Sequence, residues 1–166
     1  MPDRTTDHHE SEHHAPQQVK PRALADYLDV MSKAAFQSGI SWKVVEAKWA
    51  GTREVLAGFD PEILANWGDA EVDQAVTDTR LIRNRRKIQA VADNARSMLE
   101  IADTHTAFRK YLRSHEDFDA TVKALRKRFK FLGESGAYYF LYVLGEQVPD
   151  YEEWCASRGV RPMGMG

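Results

Sequence analysis

Residues 129–141 read FKFLGESGAYYFL, and the break inside that apolar run decides what kind of fold this is. Gly133 and Gly136, separated by Glu134 and Ser135, interrupt a cluster of bulky side chains that a core would otherwise want unbroken. Upstream, Asp117 is placed to cap a helix through Phe129. Downstream, the segment 134–145 is apolar almost all round, as a central buried helix should be. A helix over 118–129, a tight glycine-containing turn and a buried helix over 134–145 make a helix-hairpin-helix arrangement. The two glycines let backbone amides approach a ligand with no Cβ in the way. The second helix adds its free N–H groups and positive dipole end at the same place, which suits a phosphate. A C-cap glycine followed by a small residue at a helix crossing explains the same letters, and the hairpin alone does not choose between the two.

Working outward, the periodicity is helical throughout. Leu24, Tyr27, Leu28, Met31, Ala34 and Ala35 line one face of a helix that ends near Gly39. Ser41 caps the next, which carries Trp42, Val45, Ala47, Trp49 and Val55 and is stopped by Gly58. Asp60-Pro61 restarts the chain with a capping acid and a proline at the first helical position. Short helices follow over 61–66 and 69–77. A longer one over 83–101 carries Ile88, Val91, Ala92, Ala95, Met98 and Leu99 on one stripe, and another short helix falls within 103–114. No stretch alternates as a strand does. The expected fold is all-α, a compact multi-helix globule with a helix-hairpin-helix DNA-binding element and a disordered N-terminal tail.

Residues 1–20 contain almost no large apolar side chain and form that tail; residues 21–158 form the domain, and 159–166 a flexible C-terminal tail. His8, His9, His13 and His14 lie in the tail, on a segment too unstructured to hold a defined metal site. A chain of 166 residues with 43% hydrophobic content suits one domain. Its single cysteine, Cys155, excludes an internal disulfide framework and fits a reducing cytosol. No apolar run reaches membrane-spanning length and the N-terminus lacks an apolar signal region, so neither a membrane partner nor secretion is expected.

The formal net charge of −2 conceals an asymmetry. Residues 80–130 hold 14 Lys/Arg against 6 Asp/Glu, concentrated in RLIRNRRK (80–87) and KALRKRFK (123–130). A charge run is commonly a solvated face. Two of them in one domain, one abutting the glycine hairpin, favour a phosphate-binding surface. Its candidate residues are Lys130, Gly133, Ser135 and Gly136 at the hairpin with Arg83, Arg85 and Arg86 from the first run.

FQSGISWKVVEAKWAG (36–51), GFDP (58–61), TRLIRNRRKIQAVADNARSMLE (79–100) and RFKFLGESGAYYFL (128–141) stand in the order and spacing found in bacterial DNA-3-methyladenine glycosylase I. Over roughly residues 24–150 the chain resembles that family of helix-hairpin-helix repair enzymes, which excise cationic methylated adenine from DNA. The resemblance implies that the base is flipped out of the duplex and stacked in an aromatic pocket. It places the pocket tryptophan on Trp42, which without the resemblance reads as a core residue. Phe36, Gln37 and Tyr138 are further pocket candidates. Two departures stand out. The family's base-recognising glutamate, eight residues before the tryptophan, is Ala34 here. Its zinc-binding Cys and His residues have no counterpart, so neither zinc nor any other cofactor is expected. The chain resembles a divergent, metal-free branch.

Relatives with the hairpin place a catalytic aspartate shortly beyond the second helix, and Asp150 lies 17 residues after Gly133. It is a candidate to stabilise developing charge on the sugar or to activate a water, although its position before YEEW reads first as the N-cap of the terminal helix. The glycosylase I family lacks this aspartate, because a cationic leaving group weakens the glycosidic bond and binding supplies most of the catalysis. The expected function is a DNA repair N-glycosylase that removes a 3-methyladenine-like purine from duplex DNA. The alternative is a non-catalytic protein that recognises damaged or distorted duplex with a degenerate pocket. Either acts as a monomer on double-stranded DNA in the cytoplasm, associated with the nucleoid.

Overall fold

The computed structural model describes residues 16–159, in which nine α-helices and no strand occur. They are α1 (Leu24–Gln37), α2 (Trp42–Val55), α3 (Pro61–Leu64), α4 (Asp69–Val76), α5 (Arg85–Ile101), α6 (His105–Leu112), α7 (Phe118–Arg128), α8 (Glu134–Val143) and α9 (Tyr151–Arg158). A 3-10 turn, Ala57–Phe59, joins α2 to α3.

The starts follow from local chemistry. Asp60, Asn84, Thr104 and Asp117 each use a side-chain oxygen to accept a backbone N–H of the first turn of α3, α5, α6 and α7. The Asn84 cap explains why α5 begins at Arg85 rather than at 83. On α1 the capping acts in reverse: Asp26 accepts from the Arg22 and Ala23 amides at 2.7 and 3.1 Å. Glu71 does the same for the Gly68 amide ahead of α4, at 2.7 Å.

Helix α1 is the central strut. It packs on α8, α5 and α2, and α5 in turn carries α3 and α4. The buried face of α1 is the expected one, from Leu24 to Ala35. The face of α2 is narrower than the sequence suggests: Val45, Trp49 and Thr52 are buried, whereas Ala47 is exposed, one position off the stripe. Leu99 of α5 is likewise only partly buried. Aromatic rings tie the layers together. Trp49 stacks on Phe59 with centroids 5.3 Å apart, and Tyr27 meets Phe108 at 4.9 Å.

Of the segment 1–20 expected as a tail, residues 16–20 are docked. Val19 donates its amide to the Val143 carbonyl at 2.7 Å, and Gln18 its side-chain amide to Tyr142 at 2.8 Å. They cover carbonyls at the end of α8, which stops at Val143 because Gly145 turns left-handed, φ 78°, and the Glu146 amide bonds back to the Leu141 carbonyl at 3.0 Å. His8, His9, His13, His14 and residues 160–166 lie outside the described residues.

Candidate functional site

Helices α7 and α8 form the hairpin read from the sequence. Its fixed point is Asn94, a buried side chain of α5 that the sequence stripe did not single out. Asn94 accepts from the Lys130 amide at 2.8 Å and donates to the Lys130 carbonyl at 3.2 Å. This double clamp holds the chain as it enters a left-handed turn at Phe131, φ 58°, a conformation that a bulky residue adopts only when its surroundings enforce it. Gly133 then starts α8. A Cβ placed on Gly133 would meet nothing within 4 Å, and no side chain caps the helix. The first internal bond runs from the Ala137 amide to the Gly133 carbonyl at 2.9 Å. The amides of the preceding turn are left pointing outward.

One other helix has an unassisted start: α2, where Ser41 makes no capping bond. Both bare starts open on one cleft of about 460 Å³. Its walls are Trp42, the first residue of α2, and Phe131 with Gly133–Gly136 of the hairpin. Gln37, Ser38 and Ile40 from the end of α1 form one side, and Tyr139 and Tyr151 close the other. Ala34 lies at the floor, where α1 meets the hairpin: a Cβ on Gly136 would sit 3.7 Å from that of Ala34.

The expected pocket residues divide. Trp42 and Gln37 border the cleft, and the Gln37 Nε2 is buried there without an ordinary hydrogen bond, although its side chain is close enough to the Tyr139 hydroxyl to act on it. Phe36 does not: it is fully buried, edge-on to Trp49 at 5.9 Å. On a helix, adjacent positions face different ways, and it is Gln37 that turns to the cleft. Tyr138 is also in the core, packed on Tyr151 and Trp154 with centroids 4.9 Å away, and donates to the Pro149 carbonyl. Its neighbour Tyr139 borders the cleft instead, with burial pushing its hydroxyl up to about 12. Phe131, Tyr139 and Tyr151 were missed. The turn that points Phe131 at the cleft has no sequence signature, and α8 is too uniformly apolar for its pattern to tell Tyr138 from Tyr139.

Asp150 is the N-cap of α9, accepting from the Glu153 amide at 3.1 Å. It is not among the residues that border the cleft; Tyr151 is.

The basic runs are less free than their composition suggests. Arg85 pairs with Asp73 of α4, and Lys130 with Asp93 at 2.8 Å. Arg126 and Arg128 also face carboxylates, Glu134 at 3.7 Å and Glu100 at 3.3 Å. Lys87 turns inward altogether. It is 4% exposed, donates to the Phe36 and Ser38 carbonyls that end α1, and lies 5.6 Å from the Phe131 ring centre. Desolvation there lowers its pKa. Arg83 and Arg86 are exposed and have no ion-pair partner among the described residues; Arg86 also lies 5.9 Å from the Phe131 ring centre. Ser135 borders the cleft in the first turn of α8.

No group of three or more His, Cys, Asp or Glu among the described residues is placed to hold a metal ion. Cys155 is buried beside Tyr138 and Trp154. No helix among the described residues is long and apolar enough to cross a membrane.

Fold and cleft together define a class: an all-α helix-hairpin-helix protein with an aromatic, base-sized cleft between two unfinished helix starts. The methyladenine glycosylase family matches residues 3–158, and the chain belongs to that family. DNA-3-methyladenine glycosylase 1 of Escherichia coli (strain K12) is 30% identical over 147 residues, 76% of this chain and 79% of that protein. The DNA-3-methyladenine glycosylase of Haemophilus influenzae is 29% identical over 143 residues, 74% and 77% of the two chains. A crystal structure of 3-methyladenine DNA glycosylase I superposes with a TM-score of 0.64 at 27% identity, over 76% of this chain and 81% of that one.

Proposed function

We propose that this protein is a DNA N-glycosylase that flips an alkylated, 3-methyladenine-like purine out of duplex DNA and releases it. The observation that carries this is the meeting of two features in a member of the methyladenine glycosylase family: bare helix amides and an aromatic cleft share one rim. The amides at Gly133, Ser135 and Gly136, with Arg83 and Arg86, suit the phosphates of a strand whose base has left the stack. Arg85 and Lys130 reach phosphates only by giving up their carboxylate partners.

Trp42 offers the flipped base a flat face. Its ring stands between the cleft and a second hollow, where Lys33 lies 5.1 Å from the ring centre and pairs with Glu46 at 2.5 Å. When the base carries a positive charge, the bond from C1′ to the base nitrogen breaks with its electron pair going to the base, which leaves neutral. Water adds to C1′ and gives its proton to solvent, leaving an abasic site. Such a leaving group needs little help, so holding the base can supply most of the rate. Asp150 stays with α9 as its cap in this scheme.

A specific observation favours the second reading, a damage-binding protein without turnover: Ala34 offers neither charge nor hydrogen bond at the floor of the cleft. The two are separated by incubating purified protein with methylated duplex DNA and measuring free bases by chromatography. Released 3-methyladenine supports the glycosylase. Binding to methylated over plain duplex with no release supports the alternative. The enzyme acts as a monomer in the cytoplasm on nucleoid DNA.

A further inference from the structure

Glu134 is the one carboxylate on the cleft wall; the other side chains that border the cleft are uncharged. Its position calls for an explanation. As the first residue of α8 it stands among the amides assigned to a phosphate, where like charge opposes that contact. Its ion pairs do not account for it either. Arg126 and Arg158 both approach the same oxygen, Oε2, at 3.7 Å, beyond hydrogen-bond length. An acid in a first turn does suit the helix dipole, but Glu152 and Glu153 serve α9 in that way without bordering the cleft.

The cleft is otherwise poor in negative charge and close to positive charge. Lys33 stands on the Trp42 ring, and Lys87 and Arg86 stand on Phe131. A cationic base entering between these rings meets aromatic faces already used by protein cations. The gap between a Cβ on Gly136 and that of Ala34, 3.7 Å, shows that the first turn of α8 reaches the same floor as position 34. From these contacts we infer that Glu134 supplies the negative charge that selects a cationic, amino-bearing purine, with the buried Gln37 side-chain amide donating to a ring nitrogen of that base. The inference rests on the glycosylase function proposed above and moves its recognition group from α1 to the hairpin.

The test uses the full chain and duplex DNA methylated to carry 3-methyladenine and 7-methylguanine, with released bases measured over time. Glu134→Gln is expected to slow release of 3-methyladenine at least 30-fold while plain-duplex affinity stays equal or rises. Glu134→Asp keeps the charge and is expected to retain a tenth or more of the rate. Arg126→Ala with Arg158→Ala removes both Glu134 ion pairs, together with the Arg158 contacts to Asp119 and the Trp154 ring that lie away from the cleft, and is expected to stay within 3-fold of the parent. A Glu134→Gln rate within 3-fold of the parent overturns the inference. So does an Arg double variant as slow as Glu134→Gln, since Glu134 would then act through its ion pairs. A second arm separates this idea from failure of the glycosylase function itself: quenching of tryptophan fluorescence by N1-methyladenosine, a cation at neutral pH, against neutral adenosine. A preference for the cation that Glu134→Gln erases upholds the carboxylate even for a chain that releases nothing. No preference in the parent chain overturns it.

Discussion

Helices α8 and α9 begin on neighbouring sides of the same molecule, and they begin in opposite ways. Asp150 closes the first turn of α9 with a side-chain hydrogen bond to the Glu153 amide. Gly133 leaves the first turn of α8 open, with no side chain above it and empty space where a Cβ would be. Every other helix start among the described residues has help from a side chain except that of α2, and α2 and α8 both open on the cleft. Helix starts are normally completed because an orphan amide forgoes about 1 kcal/mol of capping. Among the described residues, α2 and α8 are the starts with no side chain bonded to the capping residue or the first turn, and both border the cleft proposed to hold a ligand. The comparison also separates two residues of similar promise in the sequence: Asp150 caps α9 with its side chain, whereas Gly133 leaves the start of α8 open to the ligand proposed above.

The largest expected effect lies in the cleft between the bare starts. Trp42→Ala should cut base release by about 100-fold or more, with duplex affinity changed only a few-fold, because the phosphate contacts proposed above are made by the hairpin amides and by Arg83 and Arg86, not by the indole. Release kinetics and a duplex titration check this together. Equal losses of rate and affinity would show that Trp42 supports the hairpin instead of the base.

Closing the open start should come next. Gly133→Asp gives α8 the cap that α9 has. It should add only about a few tenths of a kcal/mol to stability, because glycine is itself a tolerated N-cap, and weaken duplex binding about tenfold or more, by occupying the amides and adding like charge. A variant that is stabilised yet binds as before would remove α8 from the DNA interface. The reverse change, Asp150→Ala, should cost about 1 kcal/mol in denaturant unfolding and leave release unaffected at temperatures where it is folded. A large loss of rate in well-folded Asp150→Asn would instead make Asp150 catalytic.

This contrast marks how far the sequence could be read. The helices were legible because capping residues and apolar stripes agree locally, as at Asp60-Pro61, Thr104 and Asp117. The hairpin was legible because two glycines in a bulky run have few explanations. The cleft was not, because it is assembled across distance. Asn94 reads as one polar residue in a helix, yet it clamps Lys130 across 36 positions. Lys87 reads as part of a basic surface, yet it ends up buried against α1. Phe36 and Tyr138 differ from Gln37 and Tyr139 by a single step along a helix, which is 100° of rotation.

Smaller effects follow from which cations are free. With Arg85 and Lys130 held by Asp73 and Asp93, the log–log salt slope of duplex binding should be roughly −2 to −3, the value for about three neutralised phosphates. Arg83→Glu and Arg86→Glu should each reduce it by about 1. A slope steeper than −5 would mean that the internal pairs open on binding.

The smallest is at high pH. Burial pushes the Tyr138 and Tyr139 hydroxyls up to about 12. Their contribution to stability is complete below pH 10, where both states are protonated. It falls as pH rises from 10 towards 12, because the unfolded chain then loses the protons first. Thermal melts should show that decline, and Tyr139→Phe should make it shallower.

The central claim is that the cleft between the bare starts of α2 and α8 releases a methylated purine from DNA. Its most direct measurement is chromatography of bases freed from methylated duplex by the parent chain and by Gly133→Asp. The account predicts release of 3-methyladenine by the parent chain at a rate that rises with enzyme, and slower release by Gly133→Asp at limiting DNA that recovers as DNA is raised. No free base from the parent chain, at concentrations where it binds the duplex, would contradict it.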